Sequence, residues 1–270
     1  MPKHKYYYWF DERNDDFANT GIKGRPTPED FEYLPKNVLY RIFKPLVYYV
    51  FVTLVVMILV WPVTGIWRLH NVGVLRKRKD RRKGYFVYGN HTTFFADALI
   101  NPVSCFPRQV YAVVNPDAIS IPFASTFLRM LGATPVPCSR QGALRYIDAI
   151  SRIYEKGSVV AIYPEAHIWP KYNGIRDFSD SSFKMPVRLG APCYVKSVIY
   201  RKTPSGRTRP ELWFDGPFYP NSDLPPKEAR KELRDRIYAQ MRLRCKDSEL
   251  DERFHYIKVD NPGQVRTETR

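Results

Sequence analysis

The chain has 270 residues and carries 43 Lys and Arg against 27 Asp and Glu, a formal net charge of +16. That length holds one sizeable α/β domain plus an anchoring segment, and that charge calls for an anionic partner such as phospholipid headgroups, a phosphorylated substrate or nucleic acid. Cys105, Cys138, Cys193 and Cys245 show no CxxC pair and no Cys/His cluster of zinc-ligand spacing, so no metal site is expected and the thiols read as reduced, buried and cytosolic.

Residues 1–37 are polar, with no clean hydrophobic period, and read as an N-terminal tail that ends in a short interfacial helix near Val38–Phe43. From Pro45 to Trp67 no residue is charged, a length that suits the roughly 20 apolar residues of a bilayer span. Tyr48, Tyr49, Trp61 and Trp67 stand near its ends, as amphipathic rings do at membrane boundaries. Residues 38–68 are therefore assigned to a membrane anchor, which Pro62 can kink into a re-entrant form. Arg68, Arg76, Lys77, Arg78, Lys79, Arg81, Arg82 and Lys83 follow it, against Lys36, Arg41 and Lys44 before it. This asymmetry puts the rest of the chain on the cytoplasmic side, with the basic run against anionic headgroups. A nucleic-acid partner is excluded, because no helix-turn-helix pattern or aromatic-interleaved platform accompanies the basic run.

From Gly84 the pattern is strand, then helix, repeated. Tyr85–Tyr88, Gln109–Val114, Thr134–Pro137, Ser158–Tyr163 and Ala191–Tyr200 predict strands, and Glu211–Phe214 a further one. Gly142–Tyr154 predicts a helix with Leu144, Ile147, Ile150 and Tyr154 on one face. A second helix runs from Pro226 to Arg244, where Ala229, Leu233, Ile237 and Met241 stand four apart in one stripe. The fold class is α/β, a mixed, largely parallel sheet flanked by helices, with the N-terminal membrane-anchoring helix ahead of it. The catalytic domain is expected over 84–245 and a C-terminal tail over 246–270, disordered from about Asp260.

One segment carries chemistry. Asn90-His91-Thr92-Thr93-Phe94-Phe95-Ala96-Asp97 follows the first strand of this domain, so His91 sits in the turn at the carboxyl edge of a parallel sheet, where such folds bind ligands. On a continuous helix His91 and Asp97 would not share a face. With His91 in the turn, Asp97 can accept a hydrogen bond from one imidazole nitrogen and leave the other to take a proton from an alcohol.

These residues, with three later blocks in order, resemble the glycerolipid acyltransferase family, the group that contains 1-acylglycerol-3-phosphate acyltransferases. Asn90-His91 and Asp97 look like its His-x4-Asp motif. Gly132-Ala133-Thr134-Pro135-Val136-Pro137-Cys138-Ser139-Arg140 is similar to its strand ending in arginine. Tyr163-Pro164-Glu165-Ala166-His167 resembles its Phe-Pro-Glu-Gly-Thr block, with Phe183-Lys184 following, and Ala191-Pro192-Cys193-Tyr194-Val195 resembles its Val-Pro strand. The chain departs in having five residues between His91 and Asp97, and Ala166-His167 in place of Gly-Thr.

The resemblance implies an O-acyltransferase of phospholipid biosynthesis. It moves a fatty acyl group from an acyl-CoA or acyl carrier protein thioester, a co-substrate and not a bound cofactor, to the free hydroxyl of a lysophospholipid, 1-acylglycerol-3-phosphate being favoured. His91 is then the general base and Asp97 its orienting partner. Arg140 recognises the acceptor phosphate through its planar fork. Glu165 bonds a glycerol hydroxyl or holds Arg140, and Lys184 adds positive potential. The alternative is a non-catalytic, membrane-tethered lipid-binding homologue, favoured by the longer His–Asp spacing.

Overall fold

Alternate residues along each central strand point to opposite faces of one sheet. In β3 (Tyr85–Gly89) Phe86 and Tyr88 enter one apolar cluster, while Tyr85 and Val87 enter another; in β6 (Val159–Ile162) Val160 and Ile162 divide from Val159 and Ala161 in the same way. Both faces are therefore buried, as a parallel sheet requires. In this computed structural model residues 3–18, 25–52, 58, 68–93, 96–120, 125–204 and 206–270 are described.

The sheet has seven strands in the order β2-β8-β7-β3-β6-β4-β5, with β2 (Arg68–His70), β4 (Val110–Val114), β5 (Ala133–Pro135), β7 (Cys193–Lys202) and β8 (Thr208–Phe218) completing it. Strands β7, β3, β6, β4 and β5 run parallel, and β8 is antiparallel to β7. The mixed, largely parallel α/β sheet expected from the sequence is thus present. The helix α2 (Ala96–Ser104) packs Ile100 on one face, followed by Cys105. The short helices α3 (Pro116–Ile119) and α4 (Ser125–Met130) lead into β5, while α5 (Arg140–Glu155), α6 (Lys184–Leu189) and α7 (Pro226–Cys245) cover the other face.

On α7 the stripe Ala229, Leu233, Ile237 and Met241 is the buried one. On α5 Ile150 and Tyr154 of the expected face are buried and Ile147 packs against the same cluster, together with Ile153, whereas Leu144 is 65% exposed. All four cysteines are free, yet Cys138 is exposed in the turn after β5.

The chain ends are not tails. β1 (Lys5–Trp9) pairs parallel with β9 (Phe254–Lys258) and antiparallel with β10 (Arg266–Thr269), a three-stranded sheet that includes residues expected to be disordered. Tyr7, Phe17 and Trp169 form its buried core with the main domain.

The apolar stretch assigned to the anchor lies mostly outside the described residues. Its beginning is α1 (Val38–Val50), capped by Asn37, whose side chain accepts from the Tyr40 amide. Tyr48 and Lys44 dock this helix on the domain: the Tyr48 hydroxyl accepts from the Val110 amide at 2.9 Å, and Lys44 Nζ donates to the Tyr111 hydroxyl at 2.6 Å. Val38, Ile42, Leu46 and Val50, spaced by four, stand exposed on the outer side with Leu39 and Phe43. Among the described residues no helix is long and apolar enough to cross a membrane.

Candidate active site

Strand β3 leaves the sheet at Gly89, and Asn90 replaces the missing rung. Its side chain donates to the Val198 carbonyl at 3.0 Å and accepts from the Val198 amide at 2.7 Å, which fixes where the turn begins. His91 then has both backbone groups held by the segment after β6. Its amide donates to Glu165 Oε2 at 2.9 Å, and its carbonyl accepts from the Trp169 amide at 3.1 Å. Thr92 is buried against Tyr200, whose hydroxyl lies 2.9 Å from Thr92 Oγ1.

Asp97 stands in the first turn of α2, and its Oδ2 lies 2.8 Å from His91 Nδ1. The pair closes despite the five intervening residues. An ionised carboxylate only accepts, so Nδ1 carries a proton toward Asp97, and in the neutral ring Nε2 is then the acceptor. The imidazole ring is stacked on Tyr163, with centroids 4.6 Å apart and an interplanar angle of 27°. Its side chain keeps 17% of its surface exposed, whereas Asp97 keeps 3%. One edge of the ring therefore faces outward while its partner is sealed.

The other oxygen of Asp97 is taken by a residue that sequence reasoning missed. Lys196, in the middle of β7, donates from Nζ to Asp97 Oδ1 at 3.1 Å and to the Tyr163 hydroxyl at 2.6 Å. Asn101 reaches the same hydroxyl at 2.8 Å. Burial pushes the Asp97 carboxyl up, but Lys196 and His91 outweigh it and hold the group below the usual carboxylate range. Burial likewise raises Tyr163 well above an ordinary phenol, so it remains neutral. A charged residue inside an apolar run that is buried on both faces was the available signal.

Glu165 is buried and serves the chain itself. Its Oε1 accepts from the Arg176 amide at 2.9 Å, and its Oε2, which holds the His91 amide, lies 3.4 Å from the Arg176 guanidinium. Its cation is Arg176, not Arg140, because Arg176 returns from the loop directly beneath it. That guanidinium also donates to the carbonyls of Glu12 and His167, so the N-terminal segment takes part in holding the turn. Arg140 is exposed at the start of α5, behind the N-cap Ser139. With β6 and β4 between them, β5, which leads to Arg140, lies about 14 Å from β3, which leads to His91, at about 4.8 Å per strand. Lys184 is exposed at the start of α6, on the sheet face opposite α2, and the geometry does not bring it to the His91–Asp97 pair. Ala166, where the family has glycine, has a φ of 62°, the left-handed region that favours glycine.

A buried carboxylate orienting an imidazole at the carboxyl edge of a parallel sheet is the geometry of a general-base transferase or hydrolase site. Residues 68–201 match the family model for acyltransferases. The fold is similar to the crystal structure of the 1-acyl-sn-glycerophosphate (LPA) acyltransferase PlsC from Thermotoga maritima, at 17% sequence identity and a TM-score of 0.51, over 81% of this chain and 86% of that chain. No curated protein sequence matches the chain.

Proposed function

We propose that this acyltransferase moves a fatty acyl group from an acyl-CoA or acyl carrier protein thioester to the free hydroxyl of a lysophospholipid, with 1-acylglycerol-3-phosphate as the favoured acceptor. The observation that carries this is the His91–Asp97 pair at 2.8 Å, with Nε2 directed away from the carboxylate. As the acceptor oxygen attacks the thioester carbonyl, Nε2 takes its proton and a C–O bond forms. When the tetrahedral intermediate collapses, the C–S bond breaks and the imidazolium returns the proton to the departing thiolate. Arg140, exposed beside the first amides of a long helix, is suited to the acceptor phosphate. Lys184 contributes positive potential at longer range.

Residues 38–68 hold the protein at a phospholipid membrane, with the catalytic domain on the cytoplasmic side where its donor is found. The exposed apolar row on α1 supports this, since a contiguous apolar face of that kind seeks lipid or a partner. The basic run after the anchor supports the orientation.

The test is an acyl-transfer assay of the full chain in detergent, with both donors, against a panel of lysophospholipids and glycerol 3-phosphate. Transfer to the lysophosphatidic acid should dominate, and His91→Ala should lower turnover by about 10²–10⁴-fold. Retention of a tenth of wild-type turnover in that variant would remove His91 as the base, and no transfer with either donor would remove the function.

A further inference from the structure

Lys196 is a lysine with no exposed side-chain surface in the middle of a core strand, where an apolar residue would ordinarily stand. Taking an ammonium out of water is unfavourable unless it is paired and hydrogen-bonded. Here it lies 3.1 Å from Asp97 Oδ1 and 2.6 Å from the Tyr163 hydroxyl. Gly89 makes the room, since a Cβ at that position would lie 2.9 Å from Lys196 Cε and 3.0 Å from Tyr163 Cε1. Asp97 is thus bracketed, with Lys196 on one oxygen and His91 on the other.

That bracket matters for a base. A buried carboxylate with histidine as its only cationic partner favours the imidazolium, and an imidazolium cannot accept a proton. A second cation on the far oxygen opposes that preference while leaving the orienting hydrogen bond in place. We propose that Lys196 is a positioning residue of the acyl-transfer site, whose ammonium balances Asp97 so that the carboxylate aims His91 without holding it protonated at neutral pH. This rests on His91 being the general base.

The surrounding groups leave this charge balance intact. Tyr163 from the end of β6, Tyr200 from β7 and Cys105 after α2 are all pushed up by burial and stay neutral. Glu165, which holds the His91 amide, has its own counter-ion in Arg176. Thr92 and Thr93, which follow His91, carry no charge. Burial holds Lys196 below the ordinary lysine range although Asp97 acts against it, while Asp97 itself is held below the usual carboxylate range.

The experiment is an NMR titration of the His91 ring in the full chain in detergent, assigned by its absence in His91→Ala, for wild type, Lys196→Met and Lys196→Arg. Lys196→Met should raise the His91 midpoint by about one pH unit, and Lys196→Arg should leave it in place. The acid limb of kcat/KM should move upward with the midpoint, so that the methionine variant loses about tenfold below the limb and recovers at high pH. An unmoved midpoint in Lys196→Met, or an equal movement in Lys196→Arg, would overturn the proposal. If Lys196→Met does not fold, the charge-free pair Lys196→Met/Asp97→Asn decides. A midpoint within about half a unit of wild type supports the balance, and a fall of about a unit or more overturns it. The titration needs no substrate, so a protein inactive on every acceptor would refute the proposed function and leave this result standing.

Discussion

Replacing Arg176 by methionine tests whether the His91 turn is held from below. The side chains of Arg176 and Glu165 are 0% and 1% exposed, and the guanidinium lies over the Trp169 ring, 5.0 Å from its centroid. Methionine refills most of the volume but leaves a buried carboxylate without its cation. Removing one partner of a buried pair costs about 3–5 kcal/mol. Glu165 would keep its bonds from the His91 and Arg176 amides, each 2.9 Å, which places the ionic part at the lower end. The carbonyls of Glu12 and His167 lose a donor as well, adding about 1 kcal/mol, for a total of about 4 kcal/mol. Against a typical stability of about 5–15 kcal/mol this is a large fraction. Urea unfolding followed by far-ultraviolet circular dichroism should show a midpoint lower by about 1 M or more. Adding Glu165→Gln removes the stranded charge, so the double variant should regain about 2 kcal/mol as a coupling term. A loss below about 1 kcal/mol for Arg176→Met would mean that Glu165 holds His91 without this cation, and the account of the turn would be wrong.

Asp97→Asn should reduce turnover by at least about 100-fold, because the amide no longer fixes the Nδ1–H tautomer and Lys196 is left without its counter-charge; turnover near wild type would make the pair dispensable. In Arg140→Lys the loss should appear as a raised KM for phosphate-bearing acceptors alone, since lysine keeps the charge and forfeits the bidentate fork. An unchanged KM for lysophosphatidic acid would make Arg140 structural. Ala166→Gly should stabilise the fold by about 1 kcal/mol, because relief of the left-handed strain outweighs the added freedom of the unfolded chain. A lower thermal midpoint in that variant would contradict the backbone geometry.

Local pattern was enough to place the candidate pair His91 and Asp97. An apolar run, a turn and a helical start put His91 at the carboxyl edge of β3 and Asp97 in the first turn of α2, and six residues of separation left few geometries in which they could meet. The strands from β3 to β8 and the stripe on α7 were legible for the same reason, since hydrophobic period is a property of neighbouring residues. What decided the rest was pairing across long separations. Lys196 reaches Asp97 across 99 residues, and Arg176 joins Glu165 to the carbonyl of Glu12, 164 residues away. β1 finds β9 and β10 from the opposite end of the chain. A single polar residue in an apolar strand, or a short polar segment at a terminus, carries no local period that names its partner. Only the order of strands in the sheet brings such groups together, and so only the tertiary structure shows Asp97 bracketed by Lys196 and His91, and the His91 turn braced by Glu165 and Arg176.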